Sequence, residues 1–459
     1  MLRWILGGRS SQGLAEKSVA MCIGEEQPKN CYTELQVLKG HFDIVRFLVQ
    51  IDDIRFASAG DDGIVLVWNV ETGERLVELQ GHTQQITAVT AYKFTKDEKP
   101  HTVLITASSD RMLCMWDPDT GIRVHTVSNL QSSVKCFLVL DHLNVWLSGG
   151  NELCVWNRNF ELQCKTAYHK DIGITELVDL FKNCVAAAID KEIVIFKLSE
   201  DTMSILAIHY LADHQDTIRA LIKVNDGMFA SGSHIGEIIL WDSINWSIYA
   251  YERILWEEPA GNGQSEIRMA QQKQSEMSIQ HLHSDGELLI AGVGSGLYVY
   301  NVVMRTGVAY RKFAHDSDVL HTMLLPDGQV MSCSEDGSVR IWELQDVPLP
   351  AEPASSGLLG LFGHFGRSSK ETVVPAKKHL DVAGLRTLQL IGDLIGHSGA
   401  VQMFVSFAER GVVTCSADHL VIVWKDGEKE TQLRSLALLQ KLDMNQETKC
   451  ASFKFYLMT

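Results

Sequence analysis

The chain has 459 residues, of which 46% are hydrophobic and 21% charged. Its 57 acidic residues outnumber 41 basic ones, and the resulting net charge of −16 argues against nonspecific binding to nucleic acid or anionic lipid. The ten cysteines form no Cys-x-x-Cys pair, and no apolar stretch approaches the roughly 20 residues of a membrane span. We therefore expect a cytoplasmic protein that has no structural disulfides and does not insert directly into a membrane.

A short apolar strand that closes on an aromatic residue recurs eight times along the chain. Six of these strands end in tryptophan, one in phenylalanine and one in tyrosine. In chain order the closing residues are Trp68, Trp116, Trp156, Phe196, Trp241, Tyr300, Trp342 and Trp424. Self-similarity of this kind indicates a repeat architecture in which each unit is one supersecondary element.

A histidine opens six of the eight units: His41, His82, His169, His214, His315 and His397. Five of them stand 27 residues before the closing aromatic residue, as 68 minus 41 gives in the first unit. In the second unit the interval is 34 residues, 116 minus 82, and we attribute the extra residues to a polar loop at 93–101. Aspartate recurs six residues before the aromatic residue, at Asp62, Asp110, Asp190, Asp336 and Asp418.

Turn sequences such as AGDDG and SEDGS separate the short strands of each unit, which predicts a four-stranded antiparallel blade. Aspartate in such a turn accepts backbone N–H bonds, and we expect the histidine together with Ser108, Ser334 and Ser416 to extend the network to the indole. Units three and six lack the histidine, and unit five has Ile235 where aspartate is expected. The pattern leaves the register of those three units open.

These marks resemble the WD-repeat family over about residues 33–430, and the resemblance implies an all-β propeller of eight blades. No strand pattern follows Trp424, so residues 33–38 are predicted to close the last blade. Residues 431–446 are predicted to form a short C-terminal helix with Thr431 as its cap. We expect residues 1–30 to be a flexible segment and 447–459 to be a tail.

Two insertions interrupt the repeat. Residues 256–276 are polar and read as a connector between blades five and six. Residues 346–384 form a long blade-seven loop, too long for a compact connection. Its centre, GLLGLFGHFGR at 357–367, interleaves apolar residues with glycine and ends on a basic residue: Leu358, Leu359, Leu361, Phe362, Phe365 and Arg367. From the residues alone, a packed or idle loop and a partner-docking peptide are equally supported.

No catalytic constellation stands out, and we expect neither a cofactor nor a metal. The GVGSG run at 292–296 precedes a strand and not a helix, so a hairpin turn is favoured over a phosphate loop. His281 and His283 alternate on a strand, and we interpret them as a solvated pair. Two alternatives stay open: an enzyme with a site assembled in the central channel, and a ubiquitin-ligase substrate receptor, although the Trp-Asp-x-Arg motif of such receptors is missing.

Longer stretches carry a closer resemblance, among them AGDDGIVLVWN, NVWLSGGNELCVWNR, MSCSEDGSVRIWEL and LIGDLIGHS. They are similar to the vertebrate WD-repeat proteins that form the noncatalytic subunit of a complex with two DENN-domain proteins. That resemblance implies a role in autophagy and lysosomal nutrient signalling, with small-GTPase regulation left to the DENN pair.

The same resemblance implies two interfaces. The blade-seven loop would bind a lysosomal cationic amino-acid transporter, which would bring the protein to the lysosomal surface. The DENN interface is expected where the two chain ends meet, at the closing strand and the C-terminal helix: Leu35, Val37, Leu433, Leu436 and Leu439.

Overall fold

A computed structural model describes residues 32–96, 99–167, 173–254, 277–346 and 386–436, together with residue 438. These residues form eight four-stranded antiparallel sheets. The chain enters with β1 (Glu34–Leu38) and then builds one blade after another. The eight-bladed propeller predicted from the repeat is therefore confirmed.

The first four blades each use four consecutive strands. They are β2 (Val45–Gln50), β3 (Arg55–Gly60), β4 (Val65–Asn69) and β5 (Arg75–Leu79) in blade 1; β6 (Ile86–Lys96), β7 (Lys99–Ser108), β8 (Leu113–Trp116) and β9 (Arg123–Val127) in blade 2; β10 (Cys136–Leu140), β11 (Val145–Gly149), β12 (Glu152–Asn157) and β13 (Leu162–Ala167) in blade 3; β14 (Glu176–Leu180), β15 (Cys184–Ile189), β16 (Glu192–Leu198) and β17 (Ile205–Leu211) in blade 4.

The remaining blades follow the same order until the last. They are β18 (Ile218–Asn225), β19 (Met228–Ser233), β20 (Glu237–Asp242) and β21 (Ile248–Arg253) in blade 5; β22 (Ile279–Ser284), β23 (Leu288–Val293), β24 (Gly296–Asn301) and β25 (Thr306–Arg311) in blade 6; β26 (Val319–Leu324), β27 (Val330–Ser334), β28 (Ser338–Asp346) and β29 (Arg386–Ile395) in blade 7; β30 (Val401–Ser406), β31 (Val412–Ser416) and β32 (Val421–Lys425) with β1 in blade 8. Short 3-10 turns lie at Asp141–Leu143 and Ala408–Arg410.

The core lies between the blades. Among the described residues, eight clusters of buried hydrophobic side chains each span two neighbouring blades. The first strand of every blade contacts the first strand of the next, and β30 contacts β2 to complete the ring. Because each sheet buries both faces against a neighbour, the strands are rich in Val, Ile and Leu instead of alternating with polar residues.

The ring is closed by pairing the start of the chain with its last strand. β1 runs antiparallel to β32, with Glu34 opposite Lys425 and Leu38 opposite Val421. Leu38 is 4% exposed and packs in the cluster shared by blades 8 and 1. The closing strand predicted at 33–38 is therefore confirmed. Without it, β32 would present an unpaired edge.

Two local predictions were wrong. Residues 93–96 and 99–101, predicted as part of a loop, are the paired ends of β6 and β7, with Lys96 opposite Lys99. The C-terminal helix does not begin at Thr431, since residues 427–436 are already helical. The side chain of Asp426 accepts the backbone N–H groups of Glu428 and Lys429, at 3.0 and 3.1 Å, and so provides the N-cap.

Several predicted segments lie outside the described residues. They are the N-terminal segment at 1–30, the connector at 256–276, the blade-seven loop beyond Asp346, the rest of the C-terminal helix with the tail, and His169.

Candidate functional site

The repeated residues meet in a hydrogen-bonded network inside the blades. In blade 7, His315 Nδ1 lies 3.1 Å from the Asp336 carboxylate, and His315 Nε2 lies 2.8 Å from the Ser332 hydroxyl. That hydroxyl also accepts the Trp342 indole N–H at 2.9 Å. An ionised carboxylate only accepts, so His315 donates from Nδ1 and its Nε2 accepts from the serine.

Blades 1, 2 and 8 repeat this arrangement. The four members of each set are His41, Asp62, Ser58 and Trp68; His82, Asp110, Thr106 and Trp116; His397, Asp418, Thr414 and Trp424. The residue before the histidine in these blades is glycine because a larger residue would clash with the tryptophan. A Cβ at Gly396, for example, would lie 2.7 Å from the Trp424 ring. The structure thus brings together the histidine, aspartate and tryptophan that the repeat predicts.

The hydroxyl that joins histidine to indole is not the predicted one. Ser334 donates to the carbonyl of Ser317 and accepts the backbone N–H of Asp336, and Ser108 and Ser416 do the same in their blades. The joining residue lies two positions earlier, ten residues before the tryptophan, at Ser58, Thr106, Ser231, Ser332 and Thr414. That constant interval is a signal in the sequence from which the joining residue could have been predicted.

The blades that depart from the repeat keep only part of this network. In blade 3, which has no histidine, Trp156 donates to Ser148 at 2.9 Å. In blade 4, the Asp190 carboxylate accepts the hydroxyl of Thr217 at 3.2 Å. In blade 5, Trp241 donates to Ser231, and Glu237 takes the place of the missing aspartate beside His214. Phe196 and Tyr300 fill the equivalent core positions at 2% and 1% exposure.

The charges of the network are fixed by burial and hydrogen bonds. Burial lowers the pKa of His82, His214 and His397 although each stands beside a carboxylate. Burial opposes ionisation of Asp336 too, but hydrogen bonds from His315 and the Asp316 backbone hold its pKa far below the usual range. A carboxylate, a neutral histidine and a shielded hydroxyl stabilise the blade, and the histidine side chains of these networks are at most 1% exposed.

His281 and His283 are not the solvated pair that we predicted. The His281 ring packs 4.0 Å from the ring of His321 in the next blade, measured between centroids. Its Nδ1 accepts the backbone N–H of Thr322 at 3.2 Å, and burial lowers its pKa to about 3. No three potential metal ligands cluster anywhere in the described ranges of the chain.

The predicted DENN interface divides between described and undescribed residues. Leu35 and Val37 on β1 are 48% and 40% exposed, and Leu433 and Leu436 on the helix are 51% and 56% exposed. The Arg434 guanidinium joins the helix to β1 through Glu34 at 2.6 Å, and Lys429 joins it to Glu409 at 2.8 Å. Leu439 lies outside the described residues, as do the six predicted transporter-binding residues at 358–367.

Within its described residues the chain forms no helix with the length and apolar character required to cross a bilayer. A family model for the WDR41 β-propeller matches residues 1–434. WD repeat-containing protein 41 of Homo sapiens is 54% identical over 454 residues, which cover 97% of this chain and 98% of the relative. The protein of the same name from Mus musculus is 50% identical over the same shares of both chains.

Among solved structures, the computationally designed Ika8 protein matches with a TM-score of 0.60 and 19% identity, covering 85% of this chain and 98% of that one. At that identity the likeness concerns the fold alone. The relatives and the family model, in contrast, match nearly the whole sequence, including the β1 segment that closes the ring. The chain therefore belongs to the WDR41 β-propeller family.

Proposed function

We propose that the protein is a noncatalytic scaffold that binds a DENN-domain complex through Leu35, Val37, Leu433 and Leu436, here called the closing surface. The observation that carries the proposal is the exposure of these four apolar side chains on two elements joined by the Arg434–Glu34 ion pair. Apolar side chains held outward on a fixed frame are typical of an interface.

The position of the closing surface in the fold also supports the proposal. β1 is the outermost strand of blade 8, so one of its edges has no strand beside it in the described part of the chain. The helix is held beside it by polar contacts, and its leucines are left for a partner. An exposed edge together with exposed leucines would favour aggregation in a free protein, and a permanent partner would remove that liability.

Replacing two helix leucines tests the proposal. Burying each leucine contributes about 1.5–3 kcal/mol, so Leu433→Asp with Leu436→Asp should weaken DENN association by at least about 100-fold, at 1.4 kcal/mol per factor of ten. The measurement is co-purification of tagged full-length protein with its DENN-domain partners from cells, quantified by mass spectrometry.

A matched control uses equally exposed apolar residues elsewhere. Leu206 and Ile208 on β17 are 67% and 38% exposed, and Leu206→Asp with Ile208→Asp should leave DENN recovery unchanged. The proposal fails if the helix variant keeps its melting temperature and still recovers the DENN proteins as the unmodified chain does.

The second part of the proposal is recruitment to lysosomes through the blade-seven loop. Two observations support docking of this loop into a cavity of a cationic amino-acid transporter. The run at 357–367 is apolar and glycine-rich and ends on Arg367, and the sequence resembles the WD-repeat subunits of DENN complexes. The scaffold would then join one partner on blade 8 to another beyond β28 of blade 7, and thereby serve autophagy and lysosomal nutrient signalling.

A further inference from the structure

A cavity of about 480 Å³ opens between blades 2 and 3, which are separated from blade 8 and its closing surface by blade 1. Its walls come from the long β6–β7 hairpin, from β9 and from the turn between β12 and β13. We call it the blade 2–3 cleft. Its volume falls in the range of sites that bury a small ligand or a few peptide side chains.

The cleft owes its hairpin wall to the insertion that sets unit two apart in the repeat. β7 pairs with β8 only from Leu104 to Ala107, while its pairing with β6 continues to Lys99. From His101 to Val103, β7 therefore has no strand on its β8 side within the described residues. An extended peptide can form main-chain hydrogen bonds with an edge of this kind.

The opposite wall includes a turn residue that is specific to blade 3. The corresponding turn holds Gly73 and Gly121 in blades 1 and 2, and a Cβ at Gly121 would lie 2.5 Å from Val77 on the preceding blade. In blades 3 to 6 a non-glycine residue adopts a positive φ in this turn, and in blade 3 that residue is Phe160, at φ 65°. Its ring stands between the turn and the outer strand of blade 2, where it stacks on His125.

The cleft combines aromatic walls with a single full positive charge. Phe160 is stacked with His125 at 6.1 Å between ring centroids, and Phe94 is stacked with Tyr92 at 5.4 Å. Arg158 lies at the opening, exposed, and no carboxylate of the described chain pairs with it. In a chain of net charge −16, an unpaired arginine beside aromatic rings favours an acidic partner.

We propose that the blade 2–3 cleft docks a short partner peptide that places an aromatic side chain against Phe94 and Phe160 and a neighbouring carboxylate on Arg158. The free β7 edge would hold the peptide backbone in extended form. Val124, 53% exposed on β9, supplies apolar area at the rim. The inference goes beyond the DENN and transporter interfaces, since it concerns a different face and another recognition chemistry.

A random dodecapeptide display library, selected on the immobilised full-length chain, tests the proposal. We expect selected peptides to share an aromatic residue next to Asp or Glu. Synthetic copies should bind Arg158→Glu about tenfold to 100-fold more weakly than the unmodified chain, as loss of a charge-assisted hydrogen bond implies, and Arg158→Lys should recover part of the affinity. Lys197→Glu reverses an equal charge on blade 4 and should change nothing.

Filling the cleft gives a second, independent readout. Val124 is exposed, so Val124→Trp should narrow the cleft while leaving the melting temperature within about 2 °C of the unmodified chain, as surface changes usually do, and it should reduce peptide binding at least about tenfold. The proposal is overturned if no peptide is enriched, if the enriched peptides lack the aromatic and acidic pair, or if Arg158→Glu and Val124→Trp bind them normally.

Discussion

The carboxylate of Glu237 lies 3.3 Å from Nδ1 of His214, in the place that an aspartate holds in blades 1, 2, 7 and 8. Glu237 stands two residues later than the expected aspartate, at the position of Ser338 in blade 7, and its longer side chain covers the difference. It also accepts the backbone N–H of Gln215 at 3.1 Å and the hydroxyl of Tyr251 at 3.0 Å. Burial opposes its ionisation, but these bonds lower its pKa.

Neutralising Glu237 should destabilise the propeller. The residue is completely buried, and a hydrogen bond to a charged group contributes about 1.5–3 kcal/mol. Glu237→Gln should therefore lower the free energy of unfolding by about that amount, measured by urea denaturation. The double variant Ile235→Asp with Glu237→Ser places the blade-seven residues around Gly236. The φ of Gly236 is 81° and that of Gly337 in blade 7 is 85°, so the turn can accept them. This variant should be more stable than Glu237→Gln and close to the unmodified chain. Equal stability of Glu237→Gln and the unmodified chain would contradict the role assigned here.

Deleting the closing strand should open the ring. Removal of residues 1–38 takes away all five β1–β32 pairs and the buried Leu38, whose burial alone contributes about 1.5–3 kcal/mol. We expect a lower melting temperature and concentration-dependent aggregation through the β32 edge. Removal of residues 1–31 is the control and should leave melting unchanged. A monomeric 1–38 deletion with unaltered melting would refute closure by β1.

The His281–His321 contact should make stability depend on pH. Burial lowers the pKa of His281 to about 3 and that of His321 well below its ordinary value, with the nearby His283 adding repulsion. In the unfolded chain both titrate near 6.5. Between pH 6.5 and about 3 the unfolded state therefore binds more protons, so stability falls as the pH falls, by about 1.4 kcal/mol per pH unit for each histidine.

The double variant His281→Gln with His321→Gln isolates this effect. Other buried histidines contribute to the pH dependence of both proteins, so the quantity to measure is the stability difference between them at pH 7.5, 6.5, 5.5 and 4.5. That difference should move in favour of the variant as the pH falls. The network carboxylates have lowered pKa values, so the stability they contribute also falls at acid pH, but it falls equally in both proteins and cancels in the difference. A difference that stays constant with pH would show that the pair is not held neutral.

The blade-seven loop should be needed for lysosomal recruitment alone. Phe362→Ala with Phe365→Ala removes the aromatic area expected to enter the transporter, while the propeller and DENN binding should be unaffected. Burying a phenylalanine side chain contributes about 1.5–3 kcal/mol, so recruitment should be sensitive to the loss of both rings. Fluorescence microscopy of tagged protein measures recruitment, and a synthetic 352–372 peptide should compete. Normal lysosomal localisation of the variant would show that the loop does not recruit the protein and only links two strands.

The number of blades was predictable because its signals are local. A closing aromatic residue, a turn aspartate and an opening histidine mark one blade each, and His315, Asp336 and Trp342 meet within a single sheet. The closing strand followed from counting, since the last unit lacked a fourth strand and residues 33–38 had no blade of their own. The interval of ten residues to the joining hydroxyl was equally local and could have been read.

Other features were decided by the tertiary structure, because they depend on contacts that the repeat pattern does not specify. The sequence predicts that His281 is a surface residue, whereas in the structure β26 places His321 against its ring. Blade 5 has Ile235 at the position of the aspartate, and in the structure the longer side chain of Glu237 reaches His214 in its place. The polar run at 93–101 has the composition of a loop, but its residues 93–96 and 99–101 pair with each other or with their neighbours across β6 and β7. Residue type and local spacing specify a blade, whereas these three contacts depend on side-chain length, strand pairing and packing between blades, which periodicity does not encode.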